Sequence, residues 1–425
     1  MPDLIIRGGL VLTPDFRAIK ADIAVEGGKI AAVGEVVGNA DTVIDAKGKL
    51  VMPGLVNAHT HLSMSLLRGY AEDLPLKRWL EEKIWPVERK LKPEHVYAGA
   101  LLGCLEMIKS GTTCFSDMYF YMEEVAKAVR ESGLRCSLSY GVIELGDRER
   151  RKIELKKAIQ LLQERDSRIR VMFGPHAPYT CSDECLLEVK ELAERHKVGI
   201  HIHLSETEEE VRESIKKTGK PPISHLEEIG FLGPRVVAAH CVHVSTEEIK
   251  SLARHGVKVV HNPASNLKLS SGLAPVREML DAGVEVALGT DGPASNNSLD
   301  MFREMRLCSL LQKLRTRDPS CIRAEEVLRM ATVTAARAAG WEEVGTIEPG
   351  KKADIILVNL NSPHLTPLPS VISNIIYSAI GSDVDTMIVD GKVLMQGRRV
   401  LTLDEERVME KARRAAEDLV GDVSA

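Results

Sequence analysis

Leu50-Val51-Met52-Pro53-Gly54-Leu55-Val56-Asn57-Ala58-His59-Thr60-His61 reads as two short apolar runs broken by a Pro-Gly corner, the second ending in a His-x-His pair. Side chains alternate across a strand, so His59 and His61 share one face. Two neutral imidazoles on one face at the end of a buried strand make a grip for a metal ion. The pair by itself is a weak signal, because His-x-His also arises by chance. Its weight comes from His203, His240 and Asp291, each of which also closes a short apolar run.

Outward from residue 55 the same texture repeats. Apolar runs stand at 55–58, 112–116, 136–140, 171–173, 199–202, 236–239, 257–260 and 284–288, eight in all. Helical texture separates them, as at 94–110, where Tyr97, Leu101, Cys104, Leu105 and Ile108 recur at helical spacing and Gly111 supplies the stop. Eight continuous apolar strands alternating with helices predict a parallel sheet buried on both faces, and the count favours a closed (β/α)8 TIM barrel of the α/β class.

The termini have a different texture. Short strands with tight turns read at 4–7, 10–13, 22–26, 29–33 and 42–45, with Gly27-Gly28 as a hairpin turn, and they return at 353–360, 386–389 and 392–395. Each group is too short to make a stable sheet alone, so the two are expected to pair. The predicted organisation is 1–55 and 349–425 as a small β-sandwich domain formed by both chain termini, and 56–348 as the metal-dependent catalytic barrel. A charged amphipathic helix over 404–420 ends the chain.

The chain has 425 residues, 44% hydrophobic and 28% charged, with a formal net charge of -5. That balance is soluble and globular and carries no basic footprint for nucleic acid. No apolar run approaches a membrane span, and the N-terminus has no basic region followed by an apolar core. The eight cysteines show no repeated pairing and read as thiols in a reducing compartment. A cytoplasmic enzyme with a small-molecule substrate is the expectation, and a homo-oligomer is left open.

Barrel enzymes place their chemistry at the carboxyl ends of the strands. Of 13 histidines, seven stand there: His59, His61, His176, His201, His203, His240 and His261. Such a concentration is unlike the scatter of core or surface histidines. Three nitrogen donors and a carboxylate suit Zn²⁺, and Fe²⁺ or another divalent ion fits the same donors. His59, His61, His203 and Asp291 are the expected ligands. Of His201 and His203 only one is expected to face the barrel interior, and Glu206 downstream favours His203. Metal binding lowers the pKa of water from about 15.7 to about 7, and a group must then move protons. Glu206, three residues past His203, is assigned that work, while Glu208, Glu209 and Glu210 are assigned to a solvated face.

Together Pro53 to His61, His203-Leu204-Ser205-Glu206-Thr207, Ala239-His240-Cys241, His261-Asn262-Pro263-Ala264-Ser265-Asn266 and Gly289-Thr290-Asp291-Gly292 resemble the amidohydrolase superfamily. Within it the chain is similar to the 5'-methylthioadenosine/S-adenosylhomocysteine deaminases over nearly its whole length. The resemblance implies one ion held by His59, His61, His203 and Asp291, because binuclear relatives carry a bridging Lys where this chain has Gly174-Pro175-His176. It implies that Asp291 and His240 assist the hydrolytic water and that Glu206 protonates the purine ring nitrogen beside the carbon under attack. It places Glu88 on the ribose hydroxyls and His176 on the purine. Relatives that accept S-adenosylhomocysteine hold its carboxylate with two arginines; the matching positions here are Tyr140 and Arg148, and the tyrosine lowers the expectation for that substrate. The implied activity is deamination of adenine nucleosides altered at the 5' position. Alternatives are a guanine or cytosine deaminase or a triazine chlorohydrolase, which would share the metal ligands, and a non-catalytic barrel scaffold, which loss of a ligand or of Glu206 would favour; none is lost.

Overall fold

The computed structural model describes residues 2–421. The chain begins with β1 (Leu4–Leu12), β2 (Ala18–Glu26), β3 (Lys29–Gly34), β4 (Thr42–Asp45) and β5 (Lys49–Pro53). It then runs through β6 (Leu55–Thr60), β7 (Thr112–Tyr119), β8 (Arg135–Val142), β9 (Ile169–Pro175), β10 (Ile200–Leu204), β11 (Val236–His240), β12 (Lys258–His261) and β13 (Val286–Leu288). It ends with β14 (Ile355–Asn359), β15 (Val384–Val389), β16 (Lys392–Gln396) and β17 (Arg399–Val400). The segments read as two strands at 4–7 and 10–13 are one strand, bent where its pairing with β2 shifts between Ile6 and Gly9.

β6 to β13 pair in sequence order, each neighbour parallel, which is the barrel. β1 to β5 and β14 to β17 make one nine-stranded mixed sheet in the order 17-16-15-14-5-1-2-3, with β4 on β1. The two ends of the chain meet where β5 runs antiparallel to β14, Pro53 opposite Ile355. The opening stretch thus belongs to both sheets, and Gly54 is the corner between them. A Cβ on Gly54 would stand 2.0 Å from the Thr113 hydroxyl oxygen, so no larger residue fits there.

The barrel closes where β6 and the loop after β13 meet, beside His59 and Asp291. The Asp291 N–H donates to the His59 carbonyl at 3.0 Å, and the Asn57 side chain takes up Thr290, accepting from its N–H at 3.0 Å and donating to its hydroxyl at 2.6 Å. Gly289 permits this approach: a Cβ there would lie 2.8 Å from the His59 carbonyl oxygen.

Barrel and terminal sheet are fastened by a buried ion pair. Arg135, at the start of β8, donates to Asp354 at 2.6 and 3.0 Å, and its guanidinium lies over Trp341, which Arg170 also covers. Removing one partner of such a pair costs roughly 3 to 5 kcal/mol because the other charge stays buried. The terminal helix, Glu405–Val420, packs on the barrel helix Pro93–Ser110 and is tied to it by Asp418 with His95 and by Glu405 with Lys109. Among the described residues no helix is long and apolar enough to cross a membrane.

Candidate metal centre and active site

His59 and His61 reach the centre from the end of β6, His203 from β10, His240 from β11, and Asp291 from just beyond β13. Three of these turns use left-handed backbone on residues other than glycine: Ser205 at φ 51°, His240 at 75° and Asp291 at 62°. Such conformations are uncommon and cluster at functional sites, where the surrounding structure enforces them. Here they turn side chains at the strand ends toward the barrel axis.

The donor atoms converge. His61 Nε2 lies 3.2 Å from both His203 Nε2 and Asp291 Oδ1, and His59 Nε2 lies 3.3 Å from Asp291 Oδ1. Atoms about 2.0 to 2.2 Å from one tetrahedral ion stand roughly 3.3 to 3.6 Å apart, so these spacings fit a shared divalent ion. Single donor atoms of His59, His203, His240 and Asp291 also fall within 4.8 Å of one another.

The opposite atoms of the same side chains are all held. The Nδ1–H groups of His61 and His203 donate to the carbonyls of Met118 at 2.6 Å and His176 at 2.7 Å. In the neutral ring this leaves each Nε2 as a lone pair aimed at the centre, a second layer typical of metal sites. Asp291 Oδ2 accepts from the hydroxyls of Ser265 at 2.5 Å and Ser295 at 2.7 Å, leaving Oδ1 for the centre. His59 Nε2 is buried and has no hydrogen-bond partner. A fully buried, unpartnered nitrogen at the focus of this donor set is what a metal ion would satisfy.

Burial lowers His59 to about 4 and keeps His203 well below the usual imidazole range, so both are neutral and able to ligate. Burial also pulls on His61, but Asp291 outweighs it and holds that ring up at about 9. Asp291 is pushed up by burial, yet the close approach of the His59 and His61 rings prevails and keeps it well below the carboxylate range.

Glu206 faces the centre with Oε2 3.7 Å from His240 Nε2, and burial raises its carboxyl. His240 Nδ1 lies 2.8 Å from Asn266 Oδ1; in a neutral ring this puts the proton on Nδ1 and turns the Nε2 lone pair inward. The centre opens into a cavity that Glu88, His176, Glu206 and His240 line, with Trp79, Trp85, Phe120 and Leu269 as apolar walls. Burial raises Glu88 to about 7 and lowers His176 to about 3. A second cavity shares Trp85, Glu88, Phe120 and Ile143 with the first and continues to Tyr140, Arg150 and Lys157.

The site therefore brings together His59, His61, His203, His240, Asp291, Glu206, Glu88 and His176, with Tyr140 in the adjoining space. Three expectations are corrected. Arg148 is not in the site: it is exposed and pairs with Glu184 at 3.0 Å. It starts the helix Arg148–Leu161, and a residue two positions along is turned about 200° on the helix, so Arg150 and Lys157 face the cavity instead. His201 does face the interior with His203, because residues two apart on a strand share a face; it lies one layer deeper, its Nε2 2.8 Å from His59 Nδ1. Glu210 is not on the solvated face: it is buried and accepts from two backbone N–H groups beside Glu206. Sequence reasoning gave no role to Ser265, Asn266, Ser271, Ser295 or Lys157. Ser265 and Asn266 lie within the 261–266 motif, while Ser271, Ser295 and Lys157 carry no local signal.

Nitrogen and carboxylate donors at the strand ends of a parallel barrel define the class of barrel hydrolases that work with a divalent metal. The chain belongs to the amidohydrolase family, which matches residues 50–394. It is 54% identical over 433 residues to a 5'-deoxyadenosine deaminase of Methanosarcina acetivorans, covering 100% of each. It is 52% identical over 398 residues to a 5-methylthioadenosine/S-adenosylhomocysteine deaminase of Thermococcus sibiricus, covering 92% of this chain and 94% of that one. Among solved structures it is similar to an adenosine deaminase from Xanthomonas campestris with bound zinc, at a TM-score of 0.94, 35% identity and 98% coverage of both chains.

Proposed function

We propose that the chain is a metal-dependent hydrolytic deaminase of adenine nucleosides altered at the 5' position. Its substrates would be 5'-deoxyadenosine, 5'-methylthioadenosine, adenosine and S-adenosylhomocysteine, each giving the inosine analogue and ammonia. The observation that carries this is the approach of His203 Nε2 and Asp291 Oδ1 to His61 Nε2, each at 3.2 Å, beside the buried Glu206 carboxylate. The names of the full-length relatives supply the substrate class.

His59, His61, His203 and Asp291 would hold one divalent ion, zinc before iron. When bound, the ion supplies Lewis acidity and lowers the pKa of water from about 15.7 to about 7. The protein's own groups do the rest. Asp291 and His240 accept hydrogen bonds from the water that adds to C6 of the purine. Glu206 takes a proton from that water and delivers one to the ring nitrogen beside C6. The second proton of the water passes from the new C6 hydroxyl to the amino group, the C6–N bond breaks as the C6=O bond forms, and ammonia leaves. A carboxyl raised by burial suits a group that must hold a proton for part of the cycle.

Glu88 would bind the ribose hydroxyls and His176 the purine, with the 5' carbon directed to the cavity of Tyr140 and Lys157. That cavity mixes Arg89, Arg150 and Lys157 with Asp147, Glu149 and Glu154, and Arg150 is engaged with Glu154 at 2.9 Å. Its balance of charges argues that 5'-deoxyadenosine and 5'-methylthioadenosine outrank S-adenosylhomocysteine. Rates on the four nucleosides, read as loss of adenosine absorbance with and without a chelator, test this. Turnover of guanine, cytosine or a chlorotriazine faster than any of the four would overturn it.

A further inference from the structure

We infer that Glu210 is a positioning residue for Glu206, holding the turn on which that carboxylate stands, while Ser271 and His243 hold its other end. The inference rests on the role proposed above for Glu206.

The turn after β10 bends through Ser205, whose left-handed φ of 51° a serine adopts only when held there. Two residues later Thr207 caps the helix Glu208–Thr218 by accepting from the Glu210 N–H at 3.2 Å. In the ordinary capping box the acidic residue at this position reaches back to the N–H of the cap. Glu210 reaches further. Its Oε1 accepts from the Ser205 N–H at 2.8 Å and its Oε2 from the Glu206 N–H at 2.7 Å. Both carboxylate oxygens are spent on the backbone of the turn, and the residue is only 7% exposed.

The far end is closed by a second chain of contacts. The Ser205 carbonyl accepts from the N–H groups of Val242 and His243, both at 3.0 Å, in the loop that follows His240. The His243 ring donates from Nε2 to the Ser271 carbonyl at 2.5 Å. The Ser271 hydroxyl in turn donates to Glu206 Oε1 at 3.1 Å. Glu206 is thus fixed at its backbone by Glu210 and at its carboxylate by Ser271, and the ring of contacts passes through Ser205. Its remaining oxygen, Oε2, is the one that faces His240. A proton carrier must be held close to its working geometry, because a displacement of about 1 Å can cost on the order of a hundredfold in rate.

The test is a pair of double-mutant cycles on the metal-loaded enzyme with 5'-deoxyadenosine: Glu210→Gln and Ser271→Ala, each alone and combined with Glu206→Gln. Glutamine at 210 offers one acceptor and turns an amide N–H toward the other donor. Glu210→Gln is expected to lower kcat on the order of tenfold to a hundredfold with KM and metal content retained. In the Glu206→Gln background it should lower kcat little further, since it acts through a carboxylate already gone. Ser271→Ala should give a smaller loss that also vanishes in that background, and it carries the test if Glu210→Gln does not fold. Equal losses in both backgrounds, or loss of metal or of substrate affinity in place of kcat, would overturn the clamp. Wild-type turnover by Glu206→Gln alone would instead overturn the role of Glu206 itself.

Discussion

The Lys157 ammonium donates to the Tyr140 hydroxyl at 3.1 Å, in the cavity that continues from the metal centre. The sequence places a neutral phenol where relatives that hold a substrate carboxylate have a cation; the fold brings a cation to that phenol from the helix Arg148–Leu161. Lys157→Met should therefore lower kcat/KM for S-adenosylhomocysteine roughly tenfold, the difference between a charged and a neutral hydrogen bond, and leave 5'-deoxyadenosine unchanged. Tyr140→Arg should raise S-adenosylhomocysteine selectively. Equal effects on both substrates would place the 5' end elsewhere.

Glu206→Gln should keep the metal and the fold while lowering kcat on the order of 10²-fold to 10⁴-fold, the contribution of general acid-base catalysis. Turnover with purified variant, alongside its metal content, decides the matter. A variant as active as wild type returns Glu206 to a structural role.

Elemental analysis should find about one tightly held divalent ion per chain, in keeping with four nitrogen and carboxylate donors and no bridging lysine at the end of β9. Asp291→Ala should reduce metal content and activity together, since Oδ1 contacts His59 and His61 at 3.3 and 3.2 Å. Two ions per chain, both needed for activity, would defeat the mononuclear assignment.

Glu304 is buried behind the site, accepting from the Ala264 N–H at 3.2 Å and from Asn296 at 2.8 Å, and burial raises its carboxyl to about 8 from an ordinary 4.5. Between these values the unfolded chain has released a proton that the folded chain keeps. The stability so linked is full below the ordinary value and is lost as the pH rises through about 8. Thermal unfolding from about pH 5 to about pH 9 should show Glu304→Gln, which has no proton to lose, gaining on wild type as the pH rises. A Tm difference that stays constant over that range would rule this out.

What the sequence determined by itself is the part written in short periods. Eight apolar runs with helical texture between them specify the barrel, and the residues that close those runs mark His59, His61, His203, His240 and Asp291, because a strand end in a parallel barrel has one direction to face. Glu206 was legible only through its nearness to His203. Tertiary structure decided which charged side chains on helices and loops turn inward. Arg148 and Lys157 stand on one helix, nine positions apart, and its rotation against β8 selects the lysine for the cavity. Glu208, Glu209 and Glu210 are one acidic run in sequence, yet the left-handed turn at Ser205 exposes two unpaired N–H groups to the last of them alone. Ser271 reaches Glu206 across 65 positions of chain. Periodicity carries information over a turn or a strand, whereas these partners are set by how loops from different strand ends pack together, and that is fixed only when the barrel closes.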